Sequence, residues 1–218
     1  MKAEKSQGGK SKLKLEILMF ISCLDMEGVL VPEIWIAFSK ETGIAELSRT
    51  TRDEPDYDKL MRYRLDILKR HGFKLSDVQS TIGKIEPFEG AREFLGKLSE
   101  LCPVIIISDT FEQFAGPLIK KLGNPTLFCN TLEVAGNGEI TGYKMRVKNS
   151  KLSTVRALQS IGYETLAVGD SYNDIAMMRA SRKGFLFKTT KAIAAENPDI
   201  GVYDEFDGLL SAMKAAME

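Results

Sequence analysis

Histidine is almost missing from this chain: His71 is the only one in 218 residues. That excludes a histidine-based triad and a histidine-rich metal site. His71 precedes Gly72 in Lys69-Arg70-His71-Gly72, a pattern that reads as a helix C-terminus, where a basic residue suits the helix dipole. Cysteine is scarce too. Cys23, Cys102 and Cys129 are far apart and form no C-x-x-C pair. A scattered, odd set excludes a disulfide or zinc framework and reads as buried thiols in a reducing compartment, the cytoplasm. Neither sign of charge is in excess, since Lys plus Arg and Asp plus Glu both count 30. A chain without a basic surplus is not a dedicated nucleic-acid binder. No apolar run reaches the ~20 residues needed to span a bilayer, so no membrane partner is expected.

The N-terminus carries Lys2, Lys5, Lys10, Lys12 and Lys14 ahead of Ile17-Leu18-Met19-Phe20-Ile21. This loosely mimics an export signal, but the run is short and ends in an acidic cluster, so residues 1–16 read as a flexible basic extension before a buried strand. Gly9-Lys10-Ser11 resembles the end of a P-loop, yet Glu4 stands where its first glycine belongs.

The composition, 44% apolar and 28% charged, supports a full core. Three apolar runs each end in an acid: Ile17 to Leu24 before Asp25, Val104 to Ile107 before Ser108-Asp109-Thr110, and Thr165 to Val168 before Gly169-Asp170. Such runs are what a parallel sheet buried on both faces requires. Helical patterns lie between them, at Gly90 to Leu101 and Ser150 to Ile161. Strands alternating with helices mean an α/β fold, a Rossmann-like, doubly wound and mainly parallel sheet, with ligands beyond the carboxyl ends of its strands. Residues 33–83 differ. Ile34 to Thr42, Tyr57 to His71 and Ser76 to Ile82 read as helices with no strand, a small helical cap inserted after the first strand. Residues 17–32 and 84–218 form the catalytic core. Within it Thr131 to Val147 reads as a hairpin turning at Asn137-Gly138. Gly184 to Phe187 is a short strand, followed by a helix from Lys191 and a last helix over Phe206 to Met217. Trp35, Phe38 and other apolar cap residues fit either a homodimer surface or packing of the cap on itself.

Two carboxylates two residues apart, Asp25 and Glu27, suit a division of labour in which one attacks phosphorus and the other donates a proton. Alone, Asp25-Met26-Glu27-Gly28 is also a common turn sequence. Asp170 and Asp174, with Asn173 between, offer the hard oxygen ligands that magnesium prefers, and equally suit the N-terminus of the next helix. Ser108 can hydrogen-bond a phosphoryl oxygen. Lys151 can neutralise phosphate charge, or simply lie on the surface.

Together these pieces resemble the haloacid-dehalogenase phosphatases over nearly everything after about residue 19. Asp25-Met26-Glu27, Ser108, Lys151 and Gly169-Asp170 through Asp174 look like the family's four motifs, in order. The resemblance implies the haloacid-dehalogenase fold and an aspartyl-phosphate at Asp25. It implies Mg2+ held by Asp25, the backbone carbonyl of Glu27 and Asp170, with Asp174 supporting. Ser108, Asp109 and Lys151 would bind the phosphoryl group. A helical cap directly after the first motif is similar to that of phosphoserine phosphatases. There Glu33 and Arg64 would grip the substrate's ammonium and carboxylate, with Asn173 beside them and Arg62 as a rival to Arg64. Both could also belong to a solvated helix face. Two departures from ordinary members, Glu27 for the usual Asp and Asp109-Thr110 for the usual two glycines, are similar to a smaller branch. It is described as bifunctional phosphoserine phosphatase/homoserine phosphotransferase. The expected partners are therefore small molecules, L-phosphoserine with homoserine as acceptor, in serine biosynthesis. Three other readings compete: a phosphatase for another small phosphomonoester, a phosphoryl-accepting signalling domain, and a catalytically silent phosphoamino-acid-binding protein.

Overall fold

The computed structural model describes residues 18–218, apart from positions 52 and 55. The lysine-rich segment and Gly9-Lys10-Ser11 lie outside the described residues. Seven strands form one sheet: β1 (Met19–Leu24), β2 (Val104–Phe111), β3 (Thr126–Val134), β4 (Ile140–Lys144), β5 (Tyr163–Gly169), β6 (Lys183–Phe187) and β7 (Gly201–Tyr203). Their spatial order is β4-β3-β2-β1-β5-β6-β7. Every pairing is parallel except the β3–β4 hairpin. Nine helices flank the described sheet: α1 (Ile34–Thr42), α2 (Tyr57–Arg70), α3 (Leu75–Lys84), α4 (Ala91–Ser99), α5 (Glu112–Lys121), α6 (Ser150–Ser160), α7 (Tyr172–Ala180), α8 (Lys191–Glu196) and α9 (Phe206–Ala215).

The apolar runs are buried on both sides because side chains alternate between faces. Leu24, Ile106, Leu166, Val168, Phe185 and Phe187 belong to one core, and Cys23, Ile105, Ile107, Ala167 and Leu186 to the other. The central strand β1 lies between β2 and β5, so its end, where Asp25 begins, is flanked by both neighbouring strand ends.

Helices α1, α2 and α3 follow β1, with a short 3-10 helix at Ala45–Ser48. They share a core with the first face of the sheet. Trp35 and Phe38 are buried there, so packing within the chain takes the face that the sequence left open to a dimer. The hairpin strengthens this attachment. Gly138 O accepts from Leu75 N at 2.9 Å, Glu139 pairs with Lys69 at 3.9 Å, and Tyr143 donates to Asp58. A further tie has a local cause. Pro117 lies inside α5 and has no N–H for the carbonyl of Gln113. Gln79 of α3 donates its side-chain amide to that carbonyl at 2.7 Å.

Candidate active site

Most candidate residues stand at a strand end, at a break in a strand ladder or at the start of the next helix, whereas Arg64 lies midway along α2. Asp25 follows β1 directly. Ser108 lies in β2 where its ladder with β3 is interrupted, between Ile107 and Phe111. Such a break re-aims side chains that regular pairing would hold. Lys151 is the second residue of α6. Asp170 follows β5, and Asp174 is in the first turn of α7, where it completes a capping box with Ser171. The helix-capping reading of Asp174 is therefore correct, and the same side chain also belongs to the acidic cluster.

Lys151 is not on the surface. Its side chain is 4% exposed and Nζ lies 2.8 Å from Asp25 Oδ2 and 2.6 Å from Asp174 Oδ1. Burial works against the ammonium, but Asp174, Asp25 and Asp109 outweigh it and hold the Lys151 pKa well above the usual lysine value. One carboxylate oxygen from each of Asp25, Asp170 and Asp174 falls within 4.8 Å of the others, and all three residues are buried. Two glycines permit this crowding. A Cβ at Gly28 would stand 2.4 Å from Asp170 Cγ, and one at Gly169 would stand 2.2 Å from Asp174 Cβ.

The charge count tests whether a divalent cation suits the cluster. Three buried carboxylates face a single ammonium. Burial, together with Asp174 and Asp170, pushes the Asp25 carboxyl well above its ordinary range despite the pull of Lys151. Oxygen-only donors with surplus negative charge match the needs of Mg2+. The residues present fit that ion.

Above the cluster, a cleft is lined by Asp25, Glu27, Glu33, Trp35, Arg64, Ser108, Asp109, Lys151, Asp170 and Asn173. Nine of the ten sequence-derived candidates line it directly, Asp174 being the exception. Glu27 accepts from Ile34 N at 2.8 Å through Oε2, at the start of α1. Burial and the Glu33 carboxylate push its pKa up to about 8, against the Ile34 N–H, Arg64 and Lys151.

Arg64, not Arg62, reaches the cleft. Arg62 has an 80% exposed side chain next to Asp58. Arg64 is buried, with its guanidinium carbon 4.6 Å from the centroid of the Trp35 ring, and it donates to Arg49 O at 2.7 Å. Burial pulls its pKa down to about 10, which leaves it a cation at neutral pH. Its Nε is the one buried side-chain nitrogen or oxygen without a hydrogen-bond partner among the described residues. An orphaned donor of this kind is costly, and a ligand acceptor is the natural compensation.

Sequence reasoning missed Thr50, Thr51, Tyr57 and Ser171, which also line the cleft. Tyr57 opens α2, and its hydroxyl donates to Asp109 O at 2.9 Å across the cleft. No local pattern around Tyr57 signals a contact 52 residues away.

Comparison with known proteins gives the family and the fold. The family model of haloacid dehalogenase-like hydrolases matches residues 23–182. The phosphoserine phosphatase ThrH of Pseudomonas aeruginosa is 47% identical over 191 residues, covering 88% of this chain and 93% of that protein. A phosphoserine phosphatase of Pseudomonas syringae pv. tomato is 46% identical over 194 residues, covering 89% and 82%. Among solved structures, a phospho-aspartyl intermediate analogue of phosphoserine phosphatase superposes with a TM-score of 0.75 at 24% identity, covering 90% of this chain and 99% of that one. That likeness concerns the fold. With its matched residues running from the end of β1 through the α7 capping box, the chain belongs to the haloacid dehalogenase-like hydrolases.

Proposed function

We propose that this protein is a magnesium-dependent phosphatase that hydrolyses L-phosphoserine through an aspartyl-phosphate at Asp25, and that it also transfers the phosphoryl group to homoserine. The observation that carries the substrate assignment is the Arg64 Nε without a partner, in a cleft that also holds Glu33 and the Asp25–Lys151 pair. A guanidinium with a free donor suits a carboxylate, Glu33 suits an ammonium, and the acidic floor suits phosphoryl chemistry. The two relatives named as phosphoserine phosphatases, at 47% and 46% identity, support the same substrate. The ThrH relative and the Glu27 and Asp109 departures support the acceptor role of homoserine.

In this scheme residues 33–83 are a cap that encloses the amino-acid part of the substrate. Asp25, Asp170 and the carbonyl of Glu27 hold magnesium, with Asp174 supporting. Bound there, the ion offsets repulsion between a carboxylate nucleophile and a phosphate dianion. Lys151 and Ser108 hold the phosphoryl oxygens, with Lys151 keeping Asp25 oriented. Asp25 forms a bond to phosphorus as the bond to the serine oxygen breaks. Glu27, held protonated by burial, gives its proton to that oxygen. It then takes a proton from water or from the homoserine hydroxyl, whose oxygen displaces Asp25. Positioned acid–base groups of this kind typically contribute about 10²–10⁴-fold.

No helix among the described residues is long and apolar enough to cross a membrane. The three free thiols support a cytoplasmic setting, where the reaction supplies serine to amino-acid biosynthesis.

The test is phosphate release from L-phosphoserine with Mg2+, with and without L-homoserine, following phosphohomoserine by mass spectrometry. Release together with phosphohomoserine is expected. Release alone removes the transferase half. No turnover in either mixture removes the substrate assignment. Asp25→Asn must abolish release, and full activity in that variant overturns the covalent scheme.

A further inference from the structure

Asp109 is a carboxylate set beside a site that must receive a phosphate dianion, where its charge is a cost. Its geometry shows what that cost secures. It lies in the break of the β2–β3 ladder, one residue after Ser108. Oδ1 accepts from Ser150 Oγ at 2.9 Å, at the first residue of α6 and next to Lys151. Oδ2 accepts from Asn173 Nδ2 at 3.1 Å, in the first turn of α7 and next to Asp174. Its carbonyl accepts from Tyr57 Oη of the cap at 2.9 Å and from Asn130 Nδ2 of β3 at 3.1 Å. Four elements therefore converge on one residue.

The carboxylate bonds do something that no backbone there can do. They join the β2 segment carrying Ser108 to the two helices whose next residues, Lys151 and Asp174, surround Asp25. The carbonyl bond joins the same segment to the cap. We propose that Asp109 is a positioning residue that couples seating of the cap to assembly of Lys151 and Asp174 around Asp25. This rests on the aspartyl-phosphate reading of the site, though not on the identity of the substrate. Asp109, whose carboxylate oxygens accept from Ser150 and Asn173, thus acts on both the phosphoryl pocket and access to it.

Two variants separate the links. Asp109→Ala removes the ties to α6 and α7 but keeps the carbonyl for Tyr57. Tyr57→Phe removes only the tie to the cap. Asp109→Asn keeps an acceptor for Ser150 and, with the Asn173 amide turned round, a bond to α7. The first readout is calorimetric binding of beryllium fluoride with Mg2+, a mimic of the phosphoryl group on an aspartate. The second is kcat and KM for L-phosphoserine. Asp109→Ala is expected to weaken beryllium fluoride binding about tenfold and lower kcat similarly, with Asp109→Asn recovering most of both. Tyr57→Phe is expected to raise KM and also to weaken beryllium fluoride binding. The double variant Asp109→Ala/Tyr57→Phe should lose clearly less than the product of the two single losses. Wild-type beryllium fluoride binding in Asp109→Ala, no recovery in Asp109→Asn, or multiplicative losses in the double variant would each overturn the proposal. If the wild-type protein binds beryllium fluoride but does not turn over phosphoserine, only the substrate assignment falls, and the binding comparison still decides the role of Asp109.

Discussion

Arg64 lies over the ring of the chain's only tryptophan, its guanidinium carbon 4.6 Å from the Trp35 ring centroid. The ring covers the guanidinium, Arg49 O accepts from one terminal nitrogen, and Nε is buried without a partner. A cation desolvated over an aromatic face is an expensive arrangement that a bound carboxylate would offset.

Arg64→Ala should therefore lower kcat/KM for L-phosphoserine by about 10- to 100-fold, the value of one or two charge-assisted hydrogen bonds. The loss should fall mainly on KM. Arg64→Lys should not restore it, because an ammonium lacks the planar fork. Phosphoethanolamine, which has no carboxylate, is the control. An equal loss with both substrates would mean that Arg64 supports the cap and does not read the substrate.

Lys151 pairs with two of three buried carboxylates. Lys151→Ala should lower kcat by about 10²–10³-fold, as loss of a positioned charge donor does. It should also destabilise the metal-free protein at neutral pH by about 3–5 kcal/mol, the usual consequence of leaving buried charge unpaired. Acid should narrow this gap. Asp25 already titrates above its ordinary range, so falling pH protonates the group that lost its partner. Urea unfolding of both proteins at pH 7 and pH 5 measures it, and an unchanged gap would contradict the charge argument.

How far these positions were legible in the sequence depends on range. Asp25, Ser108-Asp109 and Asp170 stood out because apolar runs meet polar and acidic residues there, and the sheet brings these positions together, although β2 continues past them to Phe111. The choice between Arg62 and Arg64 was also legible in principle. Leu60, Met61, Ile67 and Leu68 lie three or four residues from Arg64 and share its buried face. By contrast, α5 was hidden by Gly116-Pro117, a pair that reads as a breaker until Gln79 is seen to serve the freed carbonyl. Strand β3 begins at Thr126, ahead of the expected hairpin, because its first half pairs with β2, a partner that local sequence does not name. The burial of Lys151 was equally out of reach, since its partners are 126 and 23 residues away.

Glu27 makes folding stability depend on pH. Burial and Glu33 push its pKa from the ordinary 4.5 up to about 8. Between those values the native protein holds a proton that the unfolded chain has released. The contribution of this group is therefore full below about 4.5 and is lost as pH rises through about 8. Glu27→Gln cannot titrate, so its metal-free stability should fall less than that of the wild type between pH 5 and pH 8. Parallel curves in urea unfolding would show that Glu27 is not held protonated and would remove it as the proton donor.

Gly28 links backbone conformation to the metal cluster. Its φ of +80° is a left-handed conformation, and a Cβ there would lie 2.4 Å from Asp170 Cγ. The turn cannot relax easily, because Gly28 N donates to Val31 O and Leu30 N to Met26 O, both at 2.8 Å. Gly28→Ala should cost about 1–2 kcal/mol from the left-handed backbone alone. The larger effect should be on magnesium, because Asp170 must move away from Asp25. For the wild type, Mg2+ at a hundred times its dissociation constant should add about 2.7 kcal/mol of stability. In Gly28→Ala and in Asp170→Asn that increment should shrink sharply at the same Mg2+ concentration. Thermal unfolding with and without Mg2+ compares all three proteins. An increment that survives in Gly28→Ala but not in Asp170→Asn would show that the cluster tolerates displacement of Asp170. An increment that survives in both would place the ion elsewhere than between Asp25 and Asp170.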